Sequence, residues 1–313
     1  MARSLAPLLL AAVAASSTQA HGQTLPPATI EPNFWSHWGD GQAEVNGYAL
    51  EQPRYGTQRE GEVVLIFVTE DFDLEAAVKS DRGGPGTVPV LKLNELRDFQ
   101  TGVYDYNAMS SVFLPLDGSL PVGVPAKISF SMQEWCGHVW DQLVVREDHA
   151  DHVLHSYFQS EGERSEPISL PEQGAMADTL PIVVRGLVGS LSDGQSIELA
   201  PRFLDLRLLH TPLKWTPTTV HRTGPTMRTV PAGTFSTVTV ELSGGDAWTR
   251  FHVEEAHPHR LVGWERSDGE TAWLTGSVRM PYWKLSGAGR ERLRSELGLP
   301  ERTWPKVDTT PQH

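Results

Sequence analysis

Val230-Pro231-Ala232-Gly233-Thr234-Phe235-Ser236-Thr237-Val238-Thr239-Val240-Glu241-Leu242 and Gly263-Trp264-Glu265-Arg266-Ser267-Asp268-Gly269-Glu270-Thr271-Ala272-Trp273-Leu274 decide the fold. Val238, Val240 and Leu242 alternate with Thr and Glu, the period of a half-buried strand rather than of a helix. Pro231 to Gly233 and Asp268-Gly269 interrupt the alternation where two strands must reverse. Asp-Gly suits such a reversal because both central positions of a tight hairpin take positive φ. Residues 226–279 therefore read as a train of short antiparallel strands, which sets the class of the C-terminal half.

Working outward, residues 43–52, 61–70, 88–93, 112–116, 127–134, 139–145 and 152–158 carry the same strand signature upstream. Val63 to Val68 is apolar on both faces, which places it at the centre of a sheet or between two layers. Residues 159–174 are polar and broken by Pro167 and Pro171, the composition of a linker or crossing loop. Asp178-Thr179-Leu180-Pro181 has the form of a helix start, with a capping residue and an early proline, running to about Gly186. Residues 196–200, 203–209 and 213–221 lead into the strand train. Residues 290–297 read as one amphipathic helix pairing Leu293 with Leu297, stopped by Gly298 and Pro300.

The expected fold is thus mainly β: antiparallel curved sheets or sandwich-like halves with one or two short helices. Its regions are 23–158 and 178–285, separated by the linker or crossing loop 159–177. A short helix and loose tail follow over 286–313.

Residues 1–22 read as a signal peptide, with Arg3 in the n-region, an apolar stretch from Leu5 to Ala15 and small residues up to Ala20. The expected location is the periplasm or the extracellular space. No other apolar run approaches the length of a membrane-spanning helix, so no transmembrane segment is expected. Lys and Arg number 26 against 39 Asp and Glu, a net charge of −13. Diffuse acidity argues against a nucleic-acid partner, which would need clustered cations. Cys136 is the single cysteine, so no disulfide holds the fold and stability rests on apolar burial.

From residue 127 to 279 the chain resembles a family of exported bacterial β-rich proteins known as a domain of unknown function. The resemblance rests on the Asp178–Arg185 segment, Asp193-Gly194, the Pro231-to-Phe235 turn, His257 to Val262 and the terminal Asp-Gly hairpin. Phe34-Trp35-Ser36-His37-Trp38-Gly39-Asp40-Gly41 and Gln133 to His138 extend it to the N-terminal half. It implies a β-rich exported protein and leaves activity open. Some relatives circulate under a septum-formation-inhibitor label; that activity goes with a basic Ser-Pro-Arg-Arg-type motif, which this chain lacks.

Three clusters carry candidate chemistry. If the alternation of Ile128, Phe130 and Met132 continues, Glu134, Cys136 and His138 share their inward face and make a thiol–imidazole–carboxylate set. The plainer alternative is a turn at Gly137 that breaks the period. His149, His152 and His155 have metal-like spacing but alternate faces on a strand, so a solvated turn is the plainer reading. His21, were it the mature N-terminus, could chelate copper; His257-Pro258-His259 with Glu254 and Glu255 is read as a turn, with a metal role as the minor alternative. No nucleotide fingerprint or nucleophile elbow is present, and neither cofactor nor metal is expected.

Trp135, Trp248, Trp264 and Trp273 are the residues expected to line a ligand pocket. The leading expectation is an exported protein binding an apolar small molecule or lipid in a curved β pocket. The alternatives are a thiol-dependent enzyme or hydrolase built on Cys136, and a structural envelope protein.

Overall fold

The computed structural model describes residues 25–302. The expected signal peptide, the His21 site and the last eleven residues lie outside the described residues.

The strand train forms as read. β12 (Thr216–Val230) and β13 (Gly233–Gly244) join through Pro231-Ala232, with Val230 opposite Gly233. β14 (Ala247–Glu254), β15 (Leu261–Arg266) and β16 (Thr271–Met280) follow, each antiparallel to its predecessor. At the Asp-Gly turn Gly269 takes φ 95°, and Asp268 Oδ1 accepts the Glu270 N–H at 3.0 Å.

The N-terminal strands are β1 (Ala43–Arg54), β2 (Thr57–Asp73), β3 (Val78–Lys79), β4 (Thr87–Thr101) and β5 (Tyr104–Pro115). They continue as β6 (Lys127–Glu134), β7 (Gly137–Val145), β8 (Ala150–Ser156) and β9 (Glu163–Ile168). The chain then forms β10 (Gly174–Met176) and β11 (Ser196–Ala200). Both halves belong to one sheet, because β1 pairs with β16 from Ala43↔Met280 to Glu51↔Thr271 and with β2 on its other side. The order runs β10-β11-β12-β13-β14-β15-β16-β1-β2-β4-β5-β6-β7-β8-β9, with β3 against β2. Every pair is antiparallel except β10 with β11.

The two edges of this order, β9 and β10, are consecutive in the chain. Six residue steps from Ile168 to Gly174 reach at most about 20 Å, so the sheet curls round on itself without closing. The stretch read as a linker or crossing loop thus contains both edge strands. β9 escapes a sequence reading because it is polar and holds Pro167, which a strand tolerates at an edge where one side needs no ladder bonds.

The concave side is filled by the chain itself. Residues 174–185 are buried without a break, and the helix α2 (Leu180–Val183) is apolar all round, which only an interior position permits. It packs in one core cluster with Tyr48, Val63, Leu65, Phe67, Leu93, Ile128 and Phe130 from one side and Val220, Val240, Phe251 and Leu274 from the other. A single cluster reaching strands along nearly the whole order must lie inside the curve. α1 (Phe34–Trp38) adds Phe34 and Trp38, both fully buried, each stabilising by roughly 1.5–3 kcal/mol. α3 (Phe203–Leu209) adds Phe203, Leu204 and Leu206, so the stretch read as leading into the strand train is helical.

On the outer face, Val45, Ile66 and Val68 pack against Leu297 and Leu299. This second layer explains why the centre of β2 is apolar on both faces: Val63, Leu65 and Phe67 point inward while Ile66 and Val68 meet the C-terminal segment. That segment is a 3-10 helix, Glu291–Leu297, rather than the expected α-helix, and Gly298 ends it at φ 64°.

Candidate functional site

Where the interior segments leave β12–β15 uncovered, a cavity of about 250 Å³ remains. Leu180, Leu199, Leu242 and Phe251 make apolar walls, and Trp248 and Trp264 add indole surface. Asp178, Glu95, Arg202, Asp205 and Arg266 bring charge into the same cavity. The site is therefore amphipathic, with one greasy side and one ionic end.

The ionic end is a buried network. Glu270, fully buried, accepts from Arg202 at 2.6 and 3.0 Å, from Arg97 at 3.0 Å and from Trp264 Nε1 at 2.7 Å. Arg97 also bonds Gln52 at 2.6 Å and Glu95 at 2.9 Å. Arg202 pairs with Asp205 at 2.7 Å, and Arg266 approaches Asp205 to 3.2 Å. Burial alone would raise the Glu270 carboxyl, but the Arg202 and Arg97 guanidiniums outweigh it and hold it well below the usual carboxylate range. Asp205 is held ionised in the same way, against its burial, by Arg202 and Arg266.

Asp178 behaves oppositely. Three guanidiniums, of Arg97, Arg202 and Arg266, are matched by the carboxylates of Glu95, Asp205 and Glu270, which leaves Asp178 as the surplus acid. Its hydrogen bonds come from the Phe203 N–H at 3.2 Å and from Ser110 Oγ at 3.5 Å. Burial first, and the nearby Glu95 charge second, push its pKa up to about 7. A carboxyl poised there donates a hydrogen bond when protonated, accepts one when ionised, and can exchange a proton near neutrality.

The sequence missed this site. Asp178 reads as a helix cap, yet it makes no capping bond, and its carboxylate is spent on α3 instead. Glu270 reads as turn composition. The available signal was an acid inside the predominantly apolar residues 175–184, and the Glu95–Arg97 pair spaced to share one face of β4.

The expected residues are distributed elsewhere. Trp248 and Trp264 line the cavity, whereas Trp135 is 71% exposed at the β6–β7 turn. Trp273 does not line it; it follows Ala272, the partner of Trp264, and so faces the other side of the sheet, where it stacks on His252. The inward alternation of Ile128, Phe130 and Met132 does not continue through Glu134, Cys136 and His138. Glu134 pairs with Gly137 across a two-residue turn, and the inward row resumes at Val139, Asp141 and Leu143. His138, opposite Gln133, is exposed. Glu134 and Cys136 do meet, since Glu134 Oε2 accepts the Cys136 N–H at 2.7 Å. The thiol is exposed, and the Glu134 hydrogen bond and charge raise its pKa, the reverse of what an activated nucleophile requires.

The histidine triplet also separates. His149 bonds Asp148 at 2.6 Å, His152 turns inward to Asp141 at 2.8 Å, and His155 contacts Glu163. Among the described residues one group with metal-ligand spacing comes together, Glu31, His257 and His259, and none of the three lines the cavity. No helix of the described residues is long and apolar enough to cross a membrane. No family model, curated protein or solved structure matches this chain, so what the cavity does is read from its own geometry.

Proposed function

We propose that this is an exported protein that binds a compact amphiphile in the cavity between α3 and β12–β15. The observation that carries the reading is a buried acid with pKa about 7 at the polar end of an apolar-walled cavity. A cavity of about 150 Å³ holds a benzene-sized molecule, so 250 Å³ suits about ten non-hydrogen atoms. The ligand's tail lies against Leu242, Phe251 and Trp248, and its oxygen-bearing head meets Asp178. The guanidiniums are already paired, so a strong anion gains little there. A protonated Asp178 favours a carbonyl, hydroxyl or protonated carboxyl head. Export and kinship with the β-rich family of the resembling motifs belong to the same proposal.

The test is titration of the protein with medium-chain alcohols and fatty acids, followed by tryptophan fluorescence and native mass spectrometry. Binding of one ligand, abolished by Leu242→Trp, which fills the cavity, is the expected result. Binding unaltered by Leu242→Trp, or absent for the whole series, would overturn it.

A second reading uses the same cavity for acid–base catalysis. Asp178, whose pKa is raised to about 7 by burial first and by the nearby Glu95 charge second, is the kind of group enzymes use for proton transfer. Turnover of a bound ligand, lost in Asp178→Asn while binding persists, would favour it. The thiol-dependent alternative draws no support from an exposed Cys136 with a raised pKa.

A further inference from the structure

We infer that Glu31, His257 and His259 bind one divalent transition-metal ion of the zinc class. Their ligating atoms all lie within 4.8 Å of one another. Two distances separate a coordination shell from an ordinary ion pair. Glu31 Oε1 stands 3.5 Å from His257 Nδ1, and Glu31 Oε2 stands 3.8 Å from His259 Nε2. Both exceed the roughly 2.7–3.2 Å at which an N–H donates to oxygen. They approach the spacing of donors around a tetrahedral ion, where bonds of about 2.0–2.1 Å set neighbouring donors about 3.3–3.5 Å apart. Glu31 Oε1 is moreover buried and accepts no hydrogen bond. A buried oxygen without a donor is costly, and a cation removes that cost.

The fold holds the three donors in place. The Glu31 N–H donates to Leu187 O at 3.3 Å, and Ile30 bridges Val188, so the carboxylate hangs from a lead-in fixed to the buried interior. His257 and His259 flank Pro258 in the turn between β14 and β15. Arg185, buried, clamps that turn by donating to His259 O at 2.7 Å and to Pro258 O at 3.0 Å. Glu44 pairs with Arg185 at 2.9 Å and keeps the clamp neutral.

His259 itself sits at φ 58°, a left-handed conformation that non-glycine residues seldom adopt. Its Nδ1 lies 3.2 Å from the Glu254 carbonyl oxygen. A carbonyl only accepts, so Nδ1 carries a proton, and Nε2, on the Glu31 side, is the ring nitrogen left to ligate. Metal-binding histidines are commonly fixed by such an outer bond, which sets both tautomer and ring orientation.

One carboxylate and two imidazoles form an oxygen–nitrogen donor set that suits zinc and its neighbours rather than calcium or magnesium. The His257 and His259 side chains keep 39% and 32% exposure, so water completes the shell from the solvent side. His37 stacks edge-on against His257 at 5.2 Å between centroids and aims its Nε2 at Glu44, 3.7 Å away. In effect the ion would staple the lead-in to the β14–β15 turn. This inference uses none of the cavity residues and stands apart from the ligand proposal.

The experiment is calorimetric titration of chelator-treated full-length protein with Zn²⁺, and with Co²⁺ followed by visible absorption. One Zn²⁺ per chain and the intense d–d bands of tetrahedral Co²⁺ are expected. Glu31→Gln and His259→Asn should weaken Zn²⁺ binding by roughly 100-fold or more, whereas His149→Asn, on a different turn, should not. The melting temperature of each metal-free variant reports folding; should Glu31→Gln alter it, His257→Asn at the more exposed position carries the test. Failure to take up Zn²⁺, or uptake of equal affinity in His257→Asn, would overturn the inference.

Discussion

The backbone N–H of Phe203 donates to the Asp178 carboxylate at 3.2 Å, joining two interior segments 25 residues apart. The bond belongs to neither helix's own ladder. It holds the surplus acid of the cavity at the start of α3, and burial there keeps the acid protonated to about neutrality.

Asp178 should make stability depend on pH. Its folded-state pKa is raised from 3.8 to about 7, so the native protein holds this proton more firmly than the unfolded chain does. The native state is unpenalised below about pH 4 and loses stability as pH rises through about 7, by on the order of 4 kcal/mol. Asp178→Asn cannot ionise and can still accept from Phe203. Urea unfolding at about pH 5 and about pH 8 should show a markedly flatter profile for this variant. Equal slopes in the two proteins would mean that the group is not protonated in the fold.

Glu270 is the hub of the ionic end. Glu270→Gln keeps the shape but leaves Arg97 and Arg202 short of a buried anion, and breaking such a pair costs about 3–5 kcal/mol. Guanidinium unfolding should register the loss. A change below about 1 kcal/mol would imply that water reaches the guanidiniums and compensates them.

Cys136 should be reachable but sluggish. Because Glu134 raises its pKa, removing the carboxylate in Glu134→Gln should speed alkylation of the folded protein near neutral pH. Cys136→Ser should leave melting and ligand binding unchanged. Slower labelling in Glu134→Gln would instead show that Glu134 activates the thiol as a base.

Gly47 marks where the C-terminal segment touches the outer face. A Cβ there would lie 2.3 Å from Leu297 O. Gly47 has no positive φ, so Ala costs only through this overlap, about 1–3 kcal/mol. Hydrogen exchange should rise over residues 291–299 and stay low in β12–β15. Unchanged exchange over 291–299 would show that the segment shifts without detaching.

The class of the fold was legible because strand period and turn chemistry are local properties. Val238, Val240 and Leu242 alternate, and Asp268-Gly269 reverses the chain, whatever surrounds them. The two-faced apolar run in β2 likewise announced two packing layers, although not that Leu297 and Leu299 supply the outer one. Its limits showed at residues 134–138, where a two-residue turn resets the alternation and moves His138 to the outer face.

The cavity and the metal cluster were decided by tertiary structure. Asp178, Glu95, Arg202 and Glu270 are spread over residues 95–270, and none forms a spaced motif with another. They meet only because the sheet curls and the segments carrying α2 and α3 fold into its concave side. Glu31 and the His257–His259 pair are brought together by the same interior segment, through Leu187 and Arg185. Local pattern records which way a side chain points along its own strand. Which distant charges share one low-dielectric interior depends on how the whole sheet curls around its filling, and that is where their protonation and chemistry are set.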